Sequence, residues 1–194
     1  MSSINVAGSG WRNRADLSMA GLGLISGILS VTWGMSDPGS SWLQPLASVF
    51  GLSPELLPIG FFFGAVVALS LWRWAGSLLA IPVMLVVTMY AWSAAIQVAV
   101  RTQRHVDDDP HLIAASLGAG AIGAGLTHLG GALFARELRR PMRILATIVV
   151  GAIAGMLLYL GQRKYVDERL LYLIWQPAVA FAIGMGLTKR ESVA

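Results

Sequence analysis

Apolar residues gather along this chain in six long blocks, near residues 17–35, 56–72, 75–100, 112–135, 144–160 and 170–187. Each block is long enough to cross a bilayer as a helix of about 17–25 residues. None shows the two-residue alternation of a barrel strand with one lipid-facing and one polar side. Lipid offers backbone amides no outside partner, so blocks of this kind satisfy them internally, as helices. The pattern predicts an all-α fold: a polytopic membrane helix bundle of six transmembrane helices, forming a single integral-membrane domain over residues 1–194.

Polar punctuation marks several helix starts. Ser53-Pro54-Glu55 combines an N-cap, a first-position proline and a first-turn acid. Asp109-Pro110 reads the same way, with Asp109 as the cap, and Pro141 opens the fifth block after Arg140. Only the Trp72–Ala75 region separates the second and third blocks, which makes them an antiparallel pair. Ser41–Phe50 mixes Trp, Leu, Val and Phe with polar residues and reads as a short interfacial element. Arg12 and Arg14 precede the first block, but no suitable cleavage site follows it, so it reads as a retained helix. Trp33, Trp42, Trp72, Trp74, Trp92 and Trp175 mostly fall near block ends and are read as interfacial anchors.

Charge adds direction. With the N-terminus inside, the inner segments carry nine basic residues: Arg12, Arg14, Arg73, Arg136, Arg139, Arg140, Arg143, Lys189 and Arg190. The outer loops carry five, at Arg101, Arg104, Arg163, Lys164 and Arg169. The excess predicts both termini in the cytoplasm and fits a bacterial plasma (inner) membrane. The net charge of +4 therefore reads as membrane orientation, and no nucleic-acid partner is expected without an extramembrane domain to organise the charge. Charged residues make up 12% of the chain, against roughly 25% in soluble domains, which excludes a water-soluble globule. With no cysteine, disulfides, thiolate metal sites and cysteine nucleophiles are excluded too.

Glycine patterns predict where helices touch. Gly23 and Gly27 in the first block, and Gly151 and Gly155 in the fifth, stand four apart, as small residues do where backbones approach closely. Gly123, Thr127 and Gly131 share one face of the glycine-rich fourth block. The stretch Gly118–Gly123 matches G-x-G-x-x-G, but no strand precedes it and nucleotide binding is rejected. Shifting the chain by 95 residues pairs Gly23 with Gly118, Thr32 with Thr127 and Pro82 with Pro177. Three blocks per half would make such a duplication a 3+3 inverted repeat.

Candidate chemistry is sparse. No Asp, Glu, Lys or Arg lies near the centre of a block, which argues against proton pumping and carboxylate-based coupling. His128, Thr127, Gln97 and Gln176 are the solute-binding candidates, with interhelical hydrogen bonding as the competing role. Gln176 precedes Pro177, so its amide could also repair the ladder that proline interrupts. In the outer loop, His105, Asp107 and His111 are weak metal candidates whose spacing matches no known motif; Asp108 and Asp109 lie among them, and no metal or other cofactor is expected. Neither a nucleophile elbow, an HExxH nor a Walker sequence occurs, so no enzyme is expected. The expected function is binding or conducting a small neutral or weakly polar solute, as a transporter, channel or substrate-binding membrane subunit. The alternative is a non-catalytic accessory or assembly subunit of a larger membrane complex. Besides the lipid bilayer, the expected partners are a small solute and other membrane subunits or further copies of the chain.

Overall fold

Helix is the regular structure of the computed structural model, which describes residues 14–34, 44–50, 57–105 and 108–188. Among the described residues, six helices are long and apolar enough to cross a membrane. In chain order the helices are α1 (Ala15–Leu29), α2 (Gln44–Phe50), α3 (Leu57–Ala75), α4 (Ala80–His105), α5 (Asp109–Ala132), α6 (Pro141–Gln162) and α7 (Arg169–Leu187). A π-helical turn, Ser30–Gly34, continues α1, and a 3-10 turn, Arg136–Arg139, joins α5 to α6. The short α2 falls within the stretch expected at the interface. The Ser53-Pro54-Glu55 cap and Trp42 lie outside the described residues.

The long helices close into a ring. Each packs on its neighbour in sequence from α3 to α7, α1 packs on α3, and α7 returns to lie against α1. Neighbours run antiparallel, as short connections require. One end of the ring, here the proximal end, holds the start of α1, the 3-10 turn and the end of α7. There Gly184 meets the backbone of Ala15 and Asp16, and Gly186 meets the side chain of Leu138. The opposite, distal end holds the starts of α3, α5 and α7.

Local chemistry moves two boundaries. Helix α4 starts at Ala80 rather than near residue 75, because Gly76 ends α3 with φ +72°. Its N–H bonds the Trp72 carbonyl at 3.0 Å, a left-handed cap that glycine adopts without a Cβ clash. At the distal end α4 runs on to His105, since a helix continues beyond the apolar stretch that hydropathy registers. The cap of α5 is Asp108, not Asp109: its carboxylate accepts from the His111 N–H at 3.0 Å. Asp109 becomes the first helical residue and pairs with Arg163 at 2.7 Å.

The glycines bring backbones together. A Cβ on Gly23 would lie 2.8 Å from Pro177 Cα, and one on Gly27 would lie 2.6 Å from the Tyr172 carbonyl oxygen, so α1 and α7 touch main chain to main chain. Gly151 and Gly155 do the same against α5, where the residue opposite is Gly120. Gly60 and Gly64, a four-residue pair that the sequence reading passed over, seat α3 on Thr88 and Met89 of α4. Gly123 and Gly131 instead face side chains, the Trp175 ring and Leu138 respectively.

The 95-residue shift lays α1 over α5 but carries α3 across the end of α6 and the loop beyond it. Pro82 stands in the first turn of α4, whereas Pro177 is the ninth residue of α7, inside the helix. The two prolines therefore interrupt different parts of their helices.

Candidate functional site

Tryptophan placement divides the molecule. Trp33 and Trp72 are exposed, as interfacial anchors would be, but Trp92 and Trp175 are 7% and 4% exposed. Their positions in mid-helix turn them into the ring, where apolar surface is covered from every side. Their rings meet edge to face with centroids 6.0 Å apart. Phe63 from α3 packs on Trp175 at 5.4 Å, and Tyr172 packs on Trp92 at 5.7 Å. The expectation that Trp92 and Trp175 anchor the interface is thus corrected: they form an aromatic layer across the ring axis.

Two small cavities adjoin this layer, and both tryptophans line both of them. The distal one offers about 20 Å³ to the centre of a water molecule and is bounded by Ile96, Ser116, Gly120 and Leu158 among others. The proximal one offers about 10 Å³ and is lined by Phe63, Thr88, Thr127 and Gln176 among others. Room for one water centre is roughly 10–15 Å³, so the axis is nearly filled in this conformation. Below it, Val67, Leu71, Met84, Leu138 and Ile183 are fully buried and close the proximal side.

Most polar groups around the layer are bonded. Trp175 Nε1 donates to the Gly151 carbonyl at 3.2 Å. Thr127 and Thr88 return their hydroxyl protons to the carbonyls of Gly123 and Met84, at 2.8 and 2.6 Å. Gln176 reaches α1 rather than the carbonyl freed by Pro177. Its Nε2 donates to Ser30 Oγ at 2.9 Å, and its Oε1 accepts from Ser26 Oγ at 2.5 Å. Ser26 and Ser30 share a face one turn apart, so a single amide pins both to α7. The indole N–H of Trp92, by contrast, is buried and has no hydrogen-bond partner among the described residues.

His128 faces elsewhere. Its Nε2 donates to the Leu138 carbonyl at 2.9 Å and its Nδ1 lies 2.7 Å from Thr147 Oγ1. A carbonyl can only accept, which assigns a proton to Nε2. The ring thereby fastens α5, the 3-10 turn and α6 together. Arginines complete this corner: Arg139 Nε donates to the Ala132 carbonyl at the end of α5, at 2.8 Å. One Arg143 nitrogen donates to Glu137 at 2.8 Å and to Gly186, at the end of α7, at 2.5 Å. Positive groups at helix C-termini satisfy orphan carbonyls and favour the helix dipole.

Of the four solute-binding candidates, Thr127 and Gln176 meet at the axis. His128 lies at the proximal corner, and Gln97 is exposed on α4, 3.4 Å from Ser93 and 3.5 Å from Arg101. The side chain of His105 and all of Asp107 lie outside the described residues, while His111 pairs with Asp108 at 2.6 Å. No group of three metal-ligating side chains occurs among the described residues. The sequence reading missed Trp92, Trp175, Phe63, Thr88 and Ser116; the mid-block position of the two tryptophans was the available signal. Comparisons with protein-family models, curated proteins and solved structures found no match to this chain.

Proposed function

We propose that the protein passes a small, neutral, hydrogen-bonding solute along the axis of the helix ring. The observation that carries this reading is the pair of cavities stacked against one aromatic layer, with Thr88, Thr127 and Gln176 at the proximal one. An interior built only to be stable would be packed to the density of an organic crystal. Here two small spaces survive beside rigid indole rings, and a shift of the Trp92–Trp175 contact would join them. Neutral amide and hydroxyl groups suit an uncharged solute, which needs no countercharge in a low-dielectric interior.

In this reading the proximal end faces the cytoplasm of a bacterial plasma membrane, in keeping with the nine-to-five distribution of basic residues. The three-plus-three order enters only as alternation of helix direction.

The test is osmotic: stopped-flow shrinkage and re-swelling of proteoliposomes with formamide, urea or glycerol outside. Faster equilibration than in protein-free vesicles is expected for the smallest solutes. Gly123→Leu, which places a side chain against the Trp175 ring, is expected to abolish the gain. Rates equal to protein-free vesicles, with the reconstituted protein folded, would sink the proposal.

A second reading, an accessory subunit of a membrane complex, draws on α6. Met142, Leu145, Val149 and Ile153 stand exposed along that helix, an apolar stripe wide enough for lipid or for another subunit. Native mass spectrometry after gentle extraction separates the two. Stoichiometric foreign subunits favour the accessory role, and a self-contained particle favours the axis.

A further inference from the structure

We infer that Trp92 and Ser116 together hold one small hydrogen-bonding molecule in the distal cavity, water in the resting ring. Trp92 is a donor that cannot accept, and its N–H is buried with no partner among the described residues. Leaving such a donor unpaired costs about 1–3 kcal/mol, and native interiors rarely tolerate it. Ser116, 1% exposed, lines the same cavity from α5, and no hydrogen bond joins its hydroxyl to another described residue. A hydroxyl both donates and accepts. The cavity at about 20 Å³ exceeds the roughly 10–15 Å³ that a water centre occupies.

These facts define the ligand. It presents a lone pair to the indole N–H, exchanges a second hydrogen bond with the serine, and is neutral. Apart from Trp175, the remaining wall is aliphatic side chains and two glycines, so no further side chain recognises the molecule. Trp175 lines the cavity too, but its N–H is already committed to Gly151. Selection at this point therefore favours a compact acceptor over a charged or multiply polar solute. The inference rests on the axis reading for what the site serves, and on its own observations for the site's existence.

Nuclear magnetic resonance on the full chain in lipid nanodiscs, with ¹⁵N in the indole nitrogens, tests it. The chain has seven tryptophans, so Trp92→Phe identifies the Trp92 signal by its loss, and the other six report whether the ring is folded. The expected result is magnetisation transfer from a long-lived water to the Trp92 Hε1. In Ser116→Ala the transfer falls by about twofold or more, because a buried water needs at least two partners to stay; Ser116→Thr retains it. Absence of transfer in the wild-type chain overturns the inference, as does an unchanged signal in Ser116→Ala. The readout is independent of permeation. A bound water in a ring that passes no solute upholds the site and removes the transport reading, while permeation without the transfer does the reverse.

Discussion

The proximal corner and the central layer of the ring solve the same problem in opposite ways. At the corner, His128, Arg139 and Arg143 reach the carbonyls of Ala132, Glu137, Leu138 and Gly186, Thr147 meets the His128 ring, and large aliphatic side chains fill what remains. In the layer, flat rings meet at an angle, two small spaces survive, and one indole N–H finds no partner. Both regions are buried in the same bundle. The difference teaches that the histidine, the residue most suggestive of chemistry in the sequence, sits where the structure is most completely satisfied. The less conspicuous Trp92 sits where it is not.

The sharpest way to break the contrast is His128→Ala. It strands the Leu138 carbonyl and opens a cavity at a fully buried site, with an expected loss of about 3 kcal/mol. Reversible unfolding in mild detergent measures it. A loss below about 1 kcal/mol would show that water enters and re-satisfies the corner, and the contrast would fail.

Gly155→Val acts at the wall of the distal cavity. The new Cβ would lie 2.6 Å from the Ser116 carbonyl oxygen, so α5 and α6 must separate. Overpacking of this kind costs about 2 kcal/mol, measured by the same unfolding assay. Gly118→Ala, which meets nothing nearby, is the matched control and is expected to be neutral or slightly stabilising.

Trp92→Phe sharpens the comparison from the other side. It removes no hydrogen bond to another described residue, so the loss comes mainly from ring area and is about 1 kcal/mol. Trp175→Phe removes a bonded N–H and orphans no donor, yet costs more, because the Gly151 carbonyl loses a partner. Equal losses for the two would erase the distinction between them.

The smallest effect lies at the distal rim. The His111 backbone N–H, and then its ring, hold the Asp108 carboxyl below its ordinary value of 3.8. A depressed folded pKa contributes stability that is present above the ordinary value and is lost as pH falls through the depressed one. Asp108→Asn keeps a capping oxygen but not the charge. Wild type is therefore expected to melt slightly above Asp108→Asn at neutral pH and to converge with it in acid, as thermal scans across that range would show.

Much of the fold was legible in the chain. Six apolar blocks became six helices, since length and hydropathy are local properties and lipid permits few alternatives. The glycine pairs Gly23–Gly27 and Gly151–Gly155 marked real backbone contacts, because only small residues allow that approach. The partners of those pairs were not legible. Gly120 and Pro177 are set by how helices from distant parts of the chain align in space, which no local pattern encodes.

The site was less legible for the same reason. Gln176 was conspicuous as an amide beside a proline, and Thr127 by its spacing with Gly123, and both do reach the axis. Gln97 was equally polar in sequence, yet it faces outward, since one residue of rotation on a helix moves a side chain by about 100°. Trp92 and Trp175 could be interfacial or central by composition, and only ring closure turned them inward.

Length and apolarity, both additive along the chain, determined on their own that the described residues form six helices able to cross a membrane. Which polar groups are paired was decided by the tertiary structure. A hydrogen bond depends on two atoms meeting within a fraction of an ångström, and the Trp175 N–H meets such a partner where the Trp92 N–H meets none among the described residues.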